Sequence, residues 1–433
     1  MKASLLSLLL TALLASASLR ANGAEPLQAV PSQPGAAAPG AYRDASERQV
    51  LVMLHMPAPH FRPDSGYSGA YTDNSGHSAR RRIAAELAQR HGLTLLSDWP
   101  MPMLGIDCYV MEAPPGVQRQ DAVKELAADP RVEWAQPIAS FSALNHGDSA
   151  RDPKLRDPLY ATQPGAKFWH IAELHTRAYG RNVKVAVIDS GVEDNHPDLA
   201  GQVAVKENFV DGSAYASEKH GTAVAGIIAA KAGNGIGIEG VAPGARLMAL
   251  RGCWEEADHS TRCNSFTLAK ALNFAVVNKA QVINMSLGGP PDILLRRLID
   301  AALQRGVTVV AAVDPNLPGG GFPAAYPGVI AAAAERSQAP GLDPVLAPGQ
   351  DIPSTVPGGG WGLVSGTSFS AAHVAGMAAL LEGLHPKQSL RRNSFLGSGI
   401  GSAGGFDACA TVSRATGDCV CACAPVPLLK ANK

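Results

Sequence analysis

The chain has 433 residues, enough for two or three domains, and its apolar share of 46% lets a core form without metals or disulfides. Its 37 Lys and Arg residues balance 37 Asp and Glu residues, so no global field draws it to nucleic acid or acidic lipid. Nucleic acid is excluded as a partner class, because such domains carry a basic patch.

The N-terminus, "MKASLLSLLLTALLASASLRANGAEP", sets one lysine before a short apolar run and then small residues. This layout predicts a secretory signal peptide over 1–24, cut after Ala17 or Ala24. The rival reading is a membrane anchor, but the run falls short of the roughly 20 residues a span needs. No later segment is long and apolar enough to span, so the chain is expected to be secreted, periplasmic or extracellular, with no membrane span after signal removal. Export also predicts paired cysteines. There are seven, and Cys108 stands alone upstream; if its segment is removed, the remaining six form an even set.

Residues 25–45, rich in Ala, Pro, Gly and Gln, read as a linker. Over 46–145 the runs "QVLVMLHM", "SARRRIAAELAQRHG", "LTLLSDW", "GIDCYVMEAP", "RQDAVKELAAD" and "VEWAQPI" predict the order β-α-β-β-α-β. Ile83 and Leu87 share one helix face, as do Val123 and Leu126, and Gly92 is the first helix's stop. The order is that of a small ferredoxin-like α+β domain. From about Asp157 strand-like runs ("VKVAVIDS", "ARLMAL", "AQVINMS", "VTVVAAV", "GVIAAAA") alternate with helix-like ones. The strands are almost continuously apolar, which predicts an α/β domain over 150–390: a mostly parallel sheet with helices on both faces. Residues 391–433 read as a Cys-containing tail that carries "DCVCACAP".

Three residues sit at the ends of apolar elements. Ser368, in "SGTSFSAAHVAGMAALLEGL", opens a helix apolar on all sides, hence central. It reads either as a cap or as a nucleophile whose own N–H holds an oxyanion. Asp189 ends the strand "VKVAVID", at the sheet edge where α/β folds gather ligands; His220 opens the small-residue helix "HGTAVAGIIAAK". Singly each is a turn, donor or cap residue, and together they predict one site. A serine hydroxyl needs a base at neutral pH, an imidazole has the fitting pKa, and a carboxylate fixes its tautomer.

"VIDSGV…HPDL", "HGTAVAG", "INMSLGG" and "SGTSFSAAHVAG", in that order, resemble the motifs of the subtilisin-like serine proteases, the subtilases, over roughly 155–385. The resemblance implies a subtilisin-like fold, a serine endopeptidase working through an acyl-enzyme, and the triad Asp189, His220 and Ser368. It makes Ser286, Leu287 and Gly288 the edge that pairs with extended substrate. The 46–145 domain then resembles the family's propeptide, an intramolecular inhibitor cleaved near 140–155. The implied protein is a self-processing, monomeric preproenzyme that takes polypeptide substrates and needs no cofactor for its chemistry.

The chain departs from the family at the oxyanion site. Where subtilases carry Gly-Asn after this strand, it has Asp314 and Pro315 in "VVAAVDPNLPGGG". Proline offers no donor, which leaves Asn316 as oxyanion-hole candidate and a protonated Asp314 as the other. The alternative function is a subtilase-fold binding or scaffold protein with weak turnover. Ala372 stands where the family has proline. "GNGIGIEG" has a dinucleotide-like spacing in the wrong context, after a helix and before a strand. In subtilases this loop can hold a structural calcium, to which Asn234 and Asp198 would contribute; two side chains fall short of the six to eight oxygens such a cation takes. Cys253 and Cys263, ten residues apart, are expected to form a disulfide across a surface loop. Cys409, Cys419, Cys421 and Cys423 form a tail cluster, read as disulfides ahead of a soft-metal site.

Overall fold

The structure is a computed structural model, described here over residues 48–55, 74–144, 159–169, 171–334, 341–384 and 408–416. The expected signal peptide, the linker, and Cys419, Cys421 and Cys423 lie outside the described residues.

The N-terminal part has the predicted order: β1 (Gln49–His55), α1 (Asn74–Arg90), β2 (Thr94–Met101), β3 (Ile106–Glu112), α2 (Arg119–Ala127) and β4 (Val132–Pro137). The strands form one antiparallel sheet in the order β2-β3-β1-β4. Side chains alternate across a strand, so the run "VLVML" must bury both faces. Val50, Val52 and Leu54 pack under α1 and α2 with Leu87 and Leu126. Leu51 and Met53 point the other way, with Cys108 and Val110, into a core shared with the following domain. That shared core explains why Cys108 is buried and unbonded, its thiol pKa pushed well up by loss of solvent.

After β4 the chain forms a strand that the sequence did not announce, β5 (Ser140–Ala143). The main domain then builds β6 (Lys184–Asp189), β7 (Val203–Asn208), α3 (Lys219–Ala229), β8 (Arg246–Arg251), β9 (Cys253–Glu255), β10 (Thr261–Asn264), α4 (Ser265–Val277), β11 (Val282–Met285), β12 (Leu287–Gly288), α5 (Ile293–Gln304), β13 (Thr308–Ala312), β14 (Ile330–Ala333), β15 (Val345–Leu346), β16 (Ile352–Val356), β17 (Gly360–Val364) and α6 (Thr367–Leu384). Seven strands, β15-β14-β13-β11-β6-β8-β7, form the parallel sheet. β6 lies inside, and the chain passes first to one side of it and then to the other, which opens the ligand-binding crevice at its carboxyl end. Helix α6 is buried from Thr367 to Glu382, as its all-round apolar sequence requires. Ala372 is fully buried within it, and the helix runs on undisturbed.

One expectation is corrected. The segment 253–263 is a β-hairpin, not a surface loop: β9 pairs with β10, Cys253 stands opposite Cys263, and both are buried and joined by the expected disulfide across a Cα–Cα distance of 4.3 Å. The tail contains a helix, Ala408–Thr416, whose Ala408 and Val412 pack into the same core as α6. The four-residue spacing of this pair is one helical turn, too short a pattern to stand out in a Gly/Ser-rich segment.

Candidate active site

Asp189, the last residue of β6, is buried and directs Oδ1 at His220, which donates from Nδ1 over 2.7 Å. The Ser190 N–H also donates to Asp189 Oδ1 (2.7 Å). This arrangement assigns the Nδ1–H tautomer and leaves Nε2 with a free lone pair, the form a general base needs. Nε2 is buried and has no hydrogen-bond partner among the described residues.

The first turn of α3 that presents His220 is held by acids. Glu255 Oε1 accepts from the His220 N–H (3.0 Å), and the Ser190 hydroxyl accepts from the Gly221 N–H (3.0 Å). Gly221 is required here, since a Cβ would lie 2.2 Å from the Ser190 carbonyl oxygen. Glu218, just before the helix, binds buried Arg251 through two hydrogen bonds of 2.9 and 2.7 Å and accepts from the Gly191 N–H. Burial raises the Glu255 carboxyl pKa above the ordinary value. Sequence reasoning missed Glu218, Arg251 and Glu255. An acid two residues before a helix-opening histidine, and an arginine ending an apolar strand, were the available signals.

Ser368 lies in the first turn of α6, fully buried. Its hydroxyl donates to the Ser286 carbonyl (2.9 Å) and accepts from the Leu144 N–H (2.9 Å). The structure therefore does not join this hydroxyl to His220 by a hydrogen bond. It does bring the neighbouring Phe369 against the imidazole, with ring centroids 5.4 Å apart. Ser286 fixes Ser368 from a second direction, donating from Oγ to its carbonyl (2.7 Å).

The cleft is filled by this chain's own β5. Leu287 and Gly288, the edge that the family resemblance assigns to substrate, pair with Ala143 and Ser142, and Arg262, Cys263 and Asn264 of β10 pair with Ser142, Phe141 and Ser140 on the other side. Phe141 is buried over Gly289, where a Cβ would come within 2.4 Å of its ring, and faces Phe322. At the end of this strand the Leu144 carbonyl accepts a hydrogen bond from the Ser368 N–H at 3.3 Å. The Leu144 carbonyl thus lies on the N–H that the sequence reading assigns to an oxyanion.

The loop after β13 gives this carbonyl no second donor among the described residues. Asn316 is exposed, and its backbone N–H is turned onto Asp314 Oδ1 (2.9 Å). Asp314 is buried and stands against Gly288, as does the Leu144 side chain: the point where a Cβ on Gly288 would sit is 3.2 Å from Leu144 Cδ1, 3.2 Å from Asp314 Cβ and 3.4 Å from Asp314 Oδ2.

The residues around Asp198 do not fit a calcium ion. Its two carboxylate oxygens accept from Asn234 Nδ2 (2.8 Å), the Ile238 N–H (3.0 Å) and Trp361 Nε1 (2.6 Å), so N–H donors fill the space where a cation would need oxygens. His373, in the same motif as Ser368, is structural. Its Nδ1 donates to the Phe369 carbonyl (2.8 Å), its ring packs on Trp169, and burial pushes its pKa down to about 4.

Residues 180–395 match the model of the Subtilase family. The chain is 37% identical to Subtilisin E of Bacillus subtilis (strain 168) over 290 residues, 62% of this chain and 69% of that protein. It is 41% identical to Subtilisin of Bacillus pumilus over 236 residues, 49% of this chain and 82% of that one. It is also 36% identical to the Major intracellular serine protease of Bacillus subtilis (strain 168), over 50% of this chain and 73% of that one. The crystal structure of fervidolysin from Fervidobacterium pennivorans, a keratinolytic enzyme related to subtilisin, superposes with a TM-score of 0.61 at 23% identity, covering 88% of this chain and 62% of that one; the likeness shows the fold.

Proposed function

The chain belongs to the subtilase family of serine peptidases, and we propose that it is a serine endopeptidase that cuts first its own chain, after Leu144, and then other polypeptides. The observation that carries this reading is the Leu144 peptide seated on Ser368, with its carbonyl on the Ser368 N–H and its flanking strand paired on both edges. Attack requires the Ser368 hydroxyl to leave the Ser286 carbonyl and bond to His220 Nε2, whose lone pair has no partner among the described residues. His220 then accepts the proton as Oγ attacks the carbonyl carbon, Asp189 stabilises the imidazolium, and the Ser368 N–H receives the developing oxyanion. The proton passes from His220 to the departing Asn145 amine, and water resolves the acyl-enzyme by the same relay.

Residues 46–145 act in this reading as a propeptide that remains bound as an inhibitor. Its sheet shares a core with α4 and α5, and Gln136 donates to Asp292 (2.9 Å), which caps α5 at the Leu295 N–H. In this reading the signal-like N-terminus directs export; no described helix is long and apolar enough to cross a membrane. A second reading, a binding protein with little turnover, is favoured by one observation, the missing second oxyanion donor at Pro315.

A fluorophosphonate probe tests the main reading. Mature protein is expected to label at Ser368, and Ser368→Ala is expected to stay unlabelled and at precursor length. Wild-type protein that neither labels nor shortens assigns the chain to the binding reading.

A further inference from the structure

We infer that Arg262 selects an acidic side chain, Asp or Glu, at the third residue before the cleaved bond; this rests on the reading that Leu144 is the residue whose carbonyl is attacked. Counted back from Leu144, that third residue is Ser142, and the ladder between β5 and β10 sets Arg262 directly opposite it. Residues opposite one another in an antiparallel pair project from the same face, close enough for their side chains to meet. They do meet: Arg262 Nη1 donates to Ser142 Oγ over 2.8 Å.

Asp258 attracts the guanidinium through space but forms no ion pair with it. No ion pair reaches it among the described residues, and its Nε, shielded from solvent, has no hydrogen-bond partner there. Asp258, on the turn of the same hairpin, accepts instead from the N–H (3.0 Å) and hydroxyl (2.6 Å) of Ser260. A half-buried cation whose contact in the cleft is a neutral hydroxyl is matched better by a carboxylate, which makes the same hydrogen bond with charge assistance. The far edge of the cleft, Leu287–Gly288, carries no charged side chain to oppose this. The mount is rigid as well: the residue after Arg262 is Cys263, disulfide-bonded to Cys253, and Asn264 caps α4 through the N–H groups of Phe266 and Thr267. Ser142 is then a neutral occupant of a site that prefers an acid, so the enzyme's own inhibitor strand binds without that extra attraction.

Two measurements test the inference. Peptides Ser-Phe-Xaa-Ala-Leu-Asn, with Xaa as Glu, Ser or Lys, are offered to the mature enzyme. The expected order of kcat/KM is Glu above Ser above Lys, with a Glu-to-Lys ratio of about ten, shrinking as salt screens the pair. In Arg262→Ala the ratio falls to about one, Arg262→Lys retains part of it, and Arg262→Glu reverses it. Retention of the wild-type ratio in Arg262→Ala, or its absence from wild type, overturns the inference. Cleavage of the Ser peptide, independent of these ratios, reports on the proposed function itself. The second measurement needs no turnover. In the full chain carrying Ser368→Ala, Ser142→Glu is expected to unfold at higher urea than Ser142→Lys, with the difference lost in Arg262→Ala. Equal midpoints for the two with Arg262 intact overturn the inference whether or not the enzyme cuts.

Discussion

Restoring a donor at the oxyanion site is expected to accelerate this enzyme. In the double substitution Asp314→Gly with Pro315→Asn, an amide replaces a residue that has neither a side-chain donor nor an N–H. The magnitude follows from the Leu144 carbonyl, which accepts one hydrogen bond, from the Ser368 N–H at 3.3 Å, at the long end of the useful range. One oxyanion donor supplies roughly 10²–10³ in turnover, about 2.7–4 kcal/mol of barrier. The change also removes the acceptor of the Asn316 N–H, a loss of about 1 kcal/mol of stability. The assay is kcat on a chromogenic peptide ending in Ala-Leu, per site titrated with fluorophosphonate, with Asn316→Ala in parallel. The double variant should gain at least tenfold, and Asn316→Ala should stay within twofold of wild type. A double variant within threefold of wild type, or an Asn316→Ala variant that loses a hundredfold, refutes the reasoning.

Asp189→Asn should keep the fold and lower kcat by roughly 10⁴, as the imidazole loses the partner that sets its tautomer; peptide turnover per titrated site checks it. Stability should depend on pH through His373, held neutral by burial with a pKa near 4. Between about pH 6.5 and 4 the unfolded chain binds a proton that the folded one does not. Stability is therefore level above the window, falls by about 1.4 kcal/mol per unit as pH drops through it, and levels off below. Urea titrations of Ser368→Ala should show this slope, and His373→Gln should reduce it by one proton. Replacing Cys253 and Cys263 together by alanine should lower urea stability by about 3 kcal/mol, the entropy of a loop of about ten residues. Ser368 should still label in that variant.

The chemistry was legible in the sequence because each candidate residue ends a buried element. "VKVAVID" predicts a covered strand, and the residue at its carboxyl end, Asp189, lies in the crevice. His220 and Ser368 open helices of small residues that pack centrally. The small sheet was legible for a related reason: "VLVML" buries both faces, one on its own helices and one on the main domain. What failed to show was set by distant partners. "SFSA" has no pattern of its own and becomes β5 because β10 and β12, over a hundred residues away, supply both ladders. The hairpin of Cys253 and Cys263 was hidden by its short strands, and with it the position of Arg262. The Ser368 hydroxyl was expected on His220, yet rests on Ser286 and Leu144, a rotamer choice that no sequence pattern encodes.

The central claim is that Ser368 attacks the Leu144 carbonyl, and the N-terminus of the processed protein tests it most directly. Sequencing wild type beside Ser368→Ala should find a new N-terminus at Asn145 in wild type and none in the alanine variant. Apart from removal of the signal-like segment, which both proteins should show, a first Ser368-dependent cut elsewhere in the chain, or a cut at Asn145 that the alanine variant makes equally well, would contradict it.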